Sequence, residues 1–157
     1  MSILVFDIEG NGLNPNIIFV LGVLDYETGE YTDYTCEDDN IAEGLLRLAE
    51  ADLVVGHYVK GYDIPVIERL TEGLITIDRA KVCDTYELSY DLFPRLRNHK
   101  LRTFGEILGF PKGEWHDFSK YDPGMRPYCK TDCLVTGRLL EFLLGEIENR
   151  QMSVGYA

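Results

Sequence analysis

Two acids one residue apart, Asp7 and Glu9, close a strongly apolar stretch that begins at Ile3. Carboxylates are among the costliest groups to take out of water, so an apolar strand that runs into a pair of them calls for a partner. On a strand, residues two apart point to one face, which would offer both carboxylates to a shared cation. The plain alternative ends the strand at Ile8 and leaves both acids solvated in the turn; an Asp-x-Glu spacing alone favours it. A third acid changes the weighing. Steps of three and four from Tyr128 run through Asp132, Val135, Leu139 and Phe142, so Tyr128 and Asp132 head the apolar stripe of a C-terminal helix. An inward carboxylate must be protonated, paired or metal-bound, and Lys130 and Arg138 fall on other faces of that helix. The helix dipole offers a purely structural reason for an acid in the first turns. Asp63 opens another helix, where N-capping is the ordinary role. Together, four acids on strand or loop ends and one helix face are what a two-metal, oxygen-ligand site needs.

The elements that must position these groups are legible in outline. Ile3 to Ile8 is almost continuously apolar and rich in β-branched residues, the pattern of a strand buried on both faces. Asn11-Gly12 and Asn14-Pro15 break it. Ile17 to Tyr26 gives a second strand, and Glu27-Thr28-Gly29-Glu30 turns the chain into a third at Tyr31 to Thr35, so three antiparallel strands open the domain. Helical spacing predicts a helix over Ile41 to Ala51. Leu53 to Val55 reads as a short buried strand, and Ile64 to Leu70 as a helix opened by Asp63 with Pro65 in its first turn. Past Ile75 to Val82, Asp84-Thr85-Tyr86-Glu87 is a candidate capping box for a further helix. Leu101 to Leu108 predicts a short helix ended by Gly109 and Pro111. Lys112 to Gly124 predicts a loop long enough to be functional, and Pro127 marks the start of a helix to about Ile147. This order predicts one α/β domain over residues 1–157, a mixed sheet with helices on its faces.

At 157 residues, 45% apolar and 27% charged, the chain can bury a core without disulfides or a structural metal. The longest near-apolar run, Ile17 to Leu24, is far short of a membrane span, and no signal-peptide pattern heads the chain. The expectation is an intracellular soluble protein without a membrane partner. Cys36, Cys83, Cys129 and Cys133 show no Cys-x-x-Cys spacing and read as reduced thiols, the last two as small neighbours in a packed stripe. A net charge of −12 argues against nucleic acid as a partner on charge alone. Acids gathered at one site can nevertheless attract cations that reverse the local field.

The motifs resemble those of a known family. "FDIEGNGL" resembles the first motif of the DnaQ-like 3′-to-5′ exonucleases, "GHYVKGYDIPVI" the second and "YCKTDCLVTGRLLEFL" the third, in the family's order and across nearly the whole chain. "VCDTYELSY" and "HKLRTFGEILGFPKGEWHDF" are similar to the exonuclease domains of phage replicative DNA polymerases of family A. The fold this implies is ribonuclease H-like, a five-stranded mixed β-sheet flanked by helices. The family binds two divalent metals, Mg2+ or Mn2+, through four acids (DEDD) whose positions match Asp7, Glu9, Asp63 and Asp132. Pro127 stands where one branch carries histidine, and Tyr128 where the other carries tyrosine, so the chain resembles the tyrosine branch, which includes polymerase proofreading domains. One metal would activate a water and the other stabilise the leaving 3′ oxygen, with Tyr128 orienting the water; without the resemblance Tyr128 is a buried aromatic. Leu13 matches a leucine that wedges against terminal bases, and otherwise reads as a turn-flanking hydrophobe. Tyr58 replaces the asparagine that follows the second-motif histidine in many relatives, so contacts to the terminal nucleotide are expected to differ.

The implied activity is metal-dependent 3′-to-5′ exonucleolysis of single-stranded or mispaired DNA, of proofreading type. Its partners would be a DNA 3′ end and a DNA polymerase, its compartment the cytoplasm of a bacterium or phage-infected host. With no polymerase after Ala157, a free-standing nuclease or an excised domain is expected. From Leu92 to Gly105 there is no acid, while Arg95, Arg97, Lys100 and Arg102 cluster with His99. They form either a phosphate-contacting patch or a solvated basic face. His57, His99 and His116 have no metal-ligand spacing. Trp115 and Phe118 either stack on bases or anchor their loop. One rival is a ribonuclease of the same fold, since metals acting on phosphate do not sense the sugar. The other is a catalytically idle binding module, whose signature would be loss of an acid; all four are present.

Overall fold

The computed structural model describes residues 1–155, of which 152–155 by backbone alone. Its strands are β1 (Ile3–Gly10), β2 (Ile18–Asp25), β3 (Tyr31–Thr35), β4 (Leu53–Gly56) and β5 (Val82–Asp84). The helices are α1 (Ile41–Glu50), α2 (Asp63–Leu70), α3 (Thr85–Leu92), α4 (Leu101–Ile107) and α5 (Met125–Gly155). The strands form one mixed sheet in the order β3-β2-β1-β4-β5. β1 lies at its centre, antiparallel to β2 and parallel to β4. The ribonuclease H-like, five-stranded arrangement expected from the motifs is the one observed.

Strand alternation decides what each face of β1 meets. Leu4, Phe6 and Ile8 point to the side covered by α1 and α2, where they pack with Leu21, Val23, Leu45, Leu48, Ile64 and Ile67. Val5 points the other way, into a cluster with Leu24, Val55, Cys133 and Leu140 under α5. Asp7 and Glu9 follow Val5 in period and therefore face α5. Fully buried side chains such as Phe6, Leu21 and Leu139 each contribute about 2 kcal/mol by leaving water, so the sheet's two sides are held independently of the acids between them. No helix among the described residues is long and apolar enough to cross a membrane.

Several boundaries differ from the sequence reading, each for a local reason. β1 does not stop at Ile8: it pairs with β2 through Glu9, and a register shift between Glu9 and Gly10 ends the regular ladder. Both acids therefore sit on the strand and not in a solvated turn. α5 starts at Met125, two residues before Pro127, because Asp122-Pro123-Gly124 forms a turn that feeds it. The Asp122 carboxylate accepts from the Gly124 N–H at 2.7 Å, and its carbonyl accepts from the Met125 N–H at 2.9 Å. Pro127 is tolerated because first-turn N–H groups have no intrahelical partner. α5 also runs past Ile147, to Gly155. The capping box before α3 is half formed: the Asp84 carboxylate caps Tyr86 and Glu87, whereas the Glu87 side chain pairs with Lys60 at 3.2 Å.

Candidate metal centre

The four acids meet because three elements end, start or cross at one place. Asp7 is paired across the sheet with Gly22 on β2. A Cβ at Gly22 would lie 2.6 Å from the Tyr31 hydroxyl, 2.8 Å from Cys129 Sγ and 3.1 Å from Cys133 Sγ. The missing side chain lets α5 settle onto the sheet, which brings Asp132 to Asp7. Asp63 is the first residue of α2, but Tyr62 holds the N-cap position and the Asp63 carboxylate does not cap its own helix. Its Oδ2 accepts from the backbone N–H of Ile8 at 3.1 Å, which fastens the start of α2 to β1 between Asp7 and Glu9. The Tyr62 hydroxyl donates to the Gly12 carbonyl at 2.7 Å and fixes the β1–β2 connection beside them.

Glu9, Asp63 and Asp132 are 7%, 3% and 5% exposed, and Asp7 is half-buried. Asp7 lies in hydrogen-bond contact with both Glu9 and Asp132, an arrangement carboxyl groups adopt only by sharing protons or cations. Burial, then the charge of Asp7, pushes Glu9 up to about 12. The same two causes lift Asp63 well above the usual carboxylate range. Asp132 rises to about 7, through burial first and Asp7 second, with Lys112 opposing. Without metal the cluster thus holds protons where cations would serve.

Lys112 is the charged group that reaches the cluster. Its Nζ lies 2.9 Å from Asp132 Oδ1, donates to Oδ2 at 3.0 Å and to the Tyr128 hydroxyl at 2.6 Å, and sits 4.3 Å from the centre of the Tyr128 ring. Burial disfavours the ammonium, but Asp132 and Tyr128 outweigh that and tighten its hold on the proton. Oδ1 of Asp132 is buried, and its close partner is the Lys112 ammonium, which stands nearer to it than hydrogen-bond angles favour. Four buried or half-buried acids with a single lysine among them leave negative charge that a hard divalent cation such as Mg2+ or Mn2+ fits. Cys129 Sγ comes near Asp7 and Glu9, but its thiol is pushed well above its ordinary range by Cys133 and by burial. It acts as a donor to Asp7, 3.5 Å from the carbonyl and 3.7 Å from Oδ2, and a protonated thiol is no zinc ligand.

These shifts carry a signed prediction. Carboxyls whose pKa is higher folded than unfolded stabilise fully below the unfolded value, near 4, and lose that contribution as pH rises through the folded value. With Asp132 near 7, melting in chelator is expected to fall by roughly 5 °C between about pH 5 and pH 8. Mg2+ should restore it at the higher pH. Melting temperatures independent of pH in chelator would contradict the cluster's protonation.

The other sequence candidates separate clearly. Leu13, 95% exposed, stands at the rim of a hollow of about 280 Å³ lined by Glu9, Gly12, Tyr62 and Phe118. The Phe118 ring centre is 6.4 Å from that of Tyr128. Trp115, Phe118 and Tyr121 all pack against the cluster of Phe19, Val20, Met125 and Cys129, so all three anchor their loop, and Phe118 also reaches the hollow. Arg95, Arg97, Lys100 and Arg102 are exposed along the α3–α4 connection and α4, none of them lining that hollow. Arg102 is within 3.6 Å of Glu114. His57 bonds Thr85 and the His99 carbonyl, and His99 bonds Ser89 and the Leu96 carbonyl, so both rings are structural ties. Sequence reasoning missed Lys112 and Gly22. Lys112 lies in a loop without period, and the demand on Gly22 comes from a helix more than a hundred residues away.

Residues 4–111 match the family model of the RNase_H superfamily. A comparison with curated proteins finds no match. Among solved structures, the chain is similar to Brucella melitensis NrnC with bound Mg2+ at 18% identity and a TM-score of 0.75, over 95% of this chain and 75% of that one. It is similar to Brucella melitensis NrnC bound to pGG at 20% identity and 0.73, over 95% and 74%. It is also similar to the family B DNA polymerase from the hyperthermophilic archaeon Pyrobaculum calidifontis at 22% identity and 0.68, over 92% of this chain but 24% of the polymerase. At such identities the likeness is one of fold. Since the family model spans well over half of the residues and the sheet has the matching architecture, the chain belongs to the ribonuclease H superfamily.

Proposed function

We propose that the protein is a metal-dependent 3′-to-5′ exonuclease of the DnaQ-like tyrosine branch, acting on unpaired DNA ends in the manner of a proofreading domain. What supports this reading is that acids from β1, α2 and α5 gather around Asp7, with Glu9 and Asp132 in contact with it and Asp63 within range of its charge, and that Tyr128 stands one turn from Asp132. Asp7, Glu9, Asp63 and Asp132 would hold two Mg2+ or Mn2+ ions. Bound there, the ions would supply Lewis-acid activation of water and stabilisation of the leaving 3′ oxygen. Leu13 and Phe118, at the hollow beside Glu9, offer apolar surface to a terminal unpaired base. Arg95, Arg97, Lys100 and Arg102, exposed along the α3–α4 connection and α4, would take phosphates of the strand leading away. A DNA polymerase is the partner such an activity would serve.

Tyr128 keeps its hydroxyl protonated, because burial raises its pKa despite the Lys112 contact, so it can orient a water through a hydrogen bond. Tyr128→Phe is expected to lower turnover about a hundredfold with folding intact; an unchanged rate would return Tyr128 to packing. The likeness to NrnC supports a second reading, an exoribonuclease of the same fold. Incubation of 5′-labelled single-stranded DNA and matched RNA with Mg2+, Mn2+ or chelator tests both. A metal-dependent ladder shortening from the 3′ end of DNA is the expected result. A ladder from RNA alone would establish the second reading, and no cleavage of either would favour a binding module.

A further inference from the structure

Lys112 holds both carboxylate oxygens of Asp132, the atoms through which Asp132 would bind a cation. Its side chain is 16% exposed, and it contacts both oxygens of Asp132 and the hydroxyl of Tyr128. The ammonium neutralises in part what an ion would neutralise in full, and two cations at one carboxylate repel each other strongly in a buried setting. The chain on either side of Lys112 is tied unevenly. Phe110 is fixed to α4 by its N–H bond to the Gly105 carbonyl, and Asp122 is fixed by the turn into α5. Between them, among the described residues, no backbone hydrogen bond joins the segment to the rest of the molecule. Its other polar ties are the exposed pair of Glu114 with Arg102 and a contact of Tyr121 with Glu37. Lys112 is therefore the buried polar anchor of a loop whose other hold is apolar, through Trp115, Phe118 and Tyr121 on the cluster of Phe19, Val20, Met125 and Cys129.

Resting on the reading of the four acids as a metal centre, we propose that Lys112 is a tethered counter-ion of the metal-free site. It leaves Asp132 when metal is taken up, so that metal binding and the position of the 111–121 loop are coupled. The free enzyme then holds Asp132 paired and the Lys112 end of its loop fastened, and loading with metal frees that end to adjust around a substrate end, while Trp115, Phe118 and Tyr121 keep the rest on the core. Coupling of this kind is reciprocal: whatever fastens Lys112 weakens the metal, and the metal weakens the fastening.

Trp115, the single tryptophan of the chain, lies three residues from Lys112 and reports on the loop. The test titrates the full chain and Lys112→Met with Mg2+, following binding by calorimetry and the loop by tryptophan emission. The expected result is a saturable change in wild-type emission with the calorimetric midpoint. Lys112→Met should bind Mg2+ about tenfold more tightly, with emission that no longer responds. Equal affinities, or Mg2+ binding to the wild type with unaltered emission, would overturn the tether and leave the metal centre standing. Binding to neither protein would overturn both. If Lys112→Met does not fold, the wild-type titration decides alone.

Discussion

Asp7→Asn is expected to reduce metal-dependent cleavage by about a thousandfold or more while the protein stays folded. Asp7 is the hub of the centre. It touches Glu9 and Asp132, accepts from Cys129, and its charge raises the pKa of Asp63, Glu9 and Asp132. Asparagine keeps the shape but removes the charge that would help hold cations, and its amide can donate to Asp132 or Glu9. In chelator the variant should melt at or above the wild-type temperature, because one of the mutually repelling acids is gone. Added Mg2+ should stabilise it less than wild type. Initial rates on a 5′-labelled strand, with parallel melts, separate lost chemistry from lost folding. Full activity in the variant would remove Asp7 from the site.

The second large effect is expected at a residue without any chemistry of its own. Gly22→Val should destabilise the protein by about 2 kcal/mol, lowering its melting temperature by roughly 6 °C, and should weaken metal-dependent activity as well. Valine suits strands better than glycine, so on backbone preference alone the change would stabilise β2. The cost comes from the Tyr31 hydroxyl and the sulfurs of Cys129 and Cys133, which already stand 2.6, 2.8 and 3.1 Å from the place a Cβ would take. These groups are packed between β2 and α5, so relief requires α5 to lift. Asp132 rides on the same turn as Cys133, directly over the pair of Asp7 with Gly22. Urea midpoints and melting curves measure the first effect, and Mg2+ titration the second. A variant as stable as wild type would mean that α5 does not depend on this contact.

How much of this was readable beforehand follows the reach of each signal. Asp7 and Glu9 were legible as a same-face pair because strand period is local, and Tyr128 with Asp132 because helical period is local. β1 to β3, with the Asp25–Glu30 turn, could be read for the same reason. Asp63 was ambiguous: an acid at a helix start caps its own helix far more often than it reaches the N–H of a strand 55 residues earlier, as it does at Ile8. Lys112 was invisible as a partner of Asp132, since no periodicity constrains where a loop lysine points and the tie spans 20 residues. The early start of α5 was hidden in the Asp122 turn, whose hydrogen bonds outrank the proline signal two residues on. The basic cluster at Arg95 to Arg102 was plain in sequence, yet contiguity in a chain does not by itself direct side chains to a site.

A crystal of the protein soaked in Mn2+ and measured at the manganese absorption edge would test the metal centre directly. Two anomalous peaks bounded by the carboxylates of Asp7, Glu9, Asp63 and Asp132 are the expected result. Manganese bound elsewhere, or no peak within coordination distance of Asp7, would contradict it.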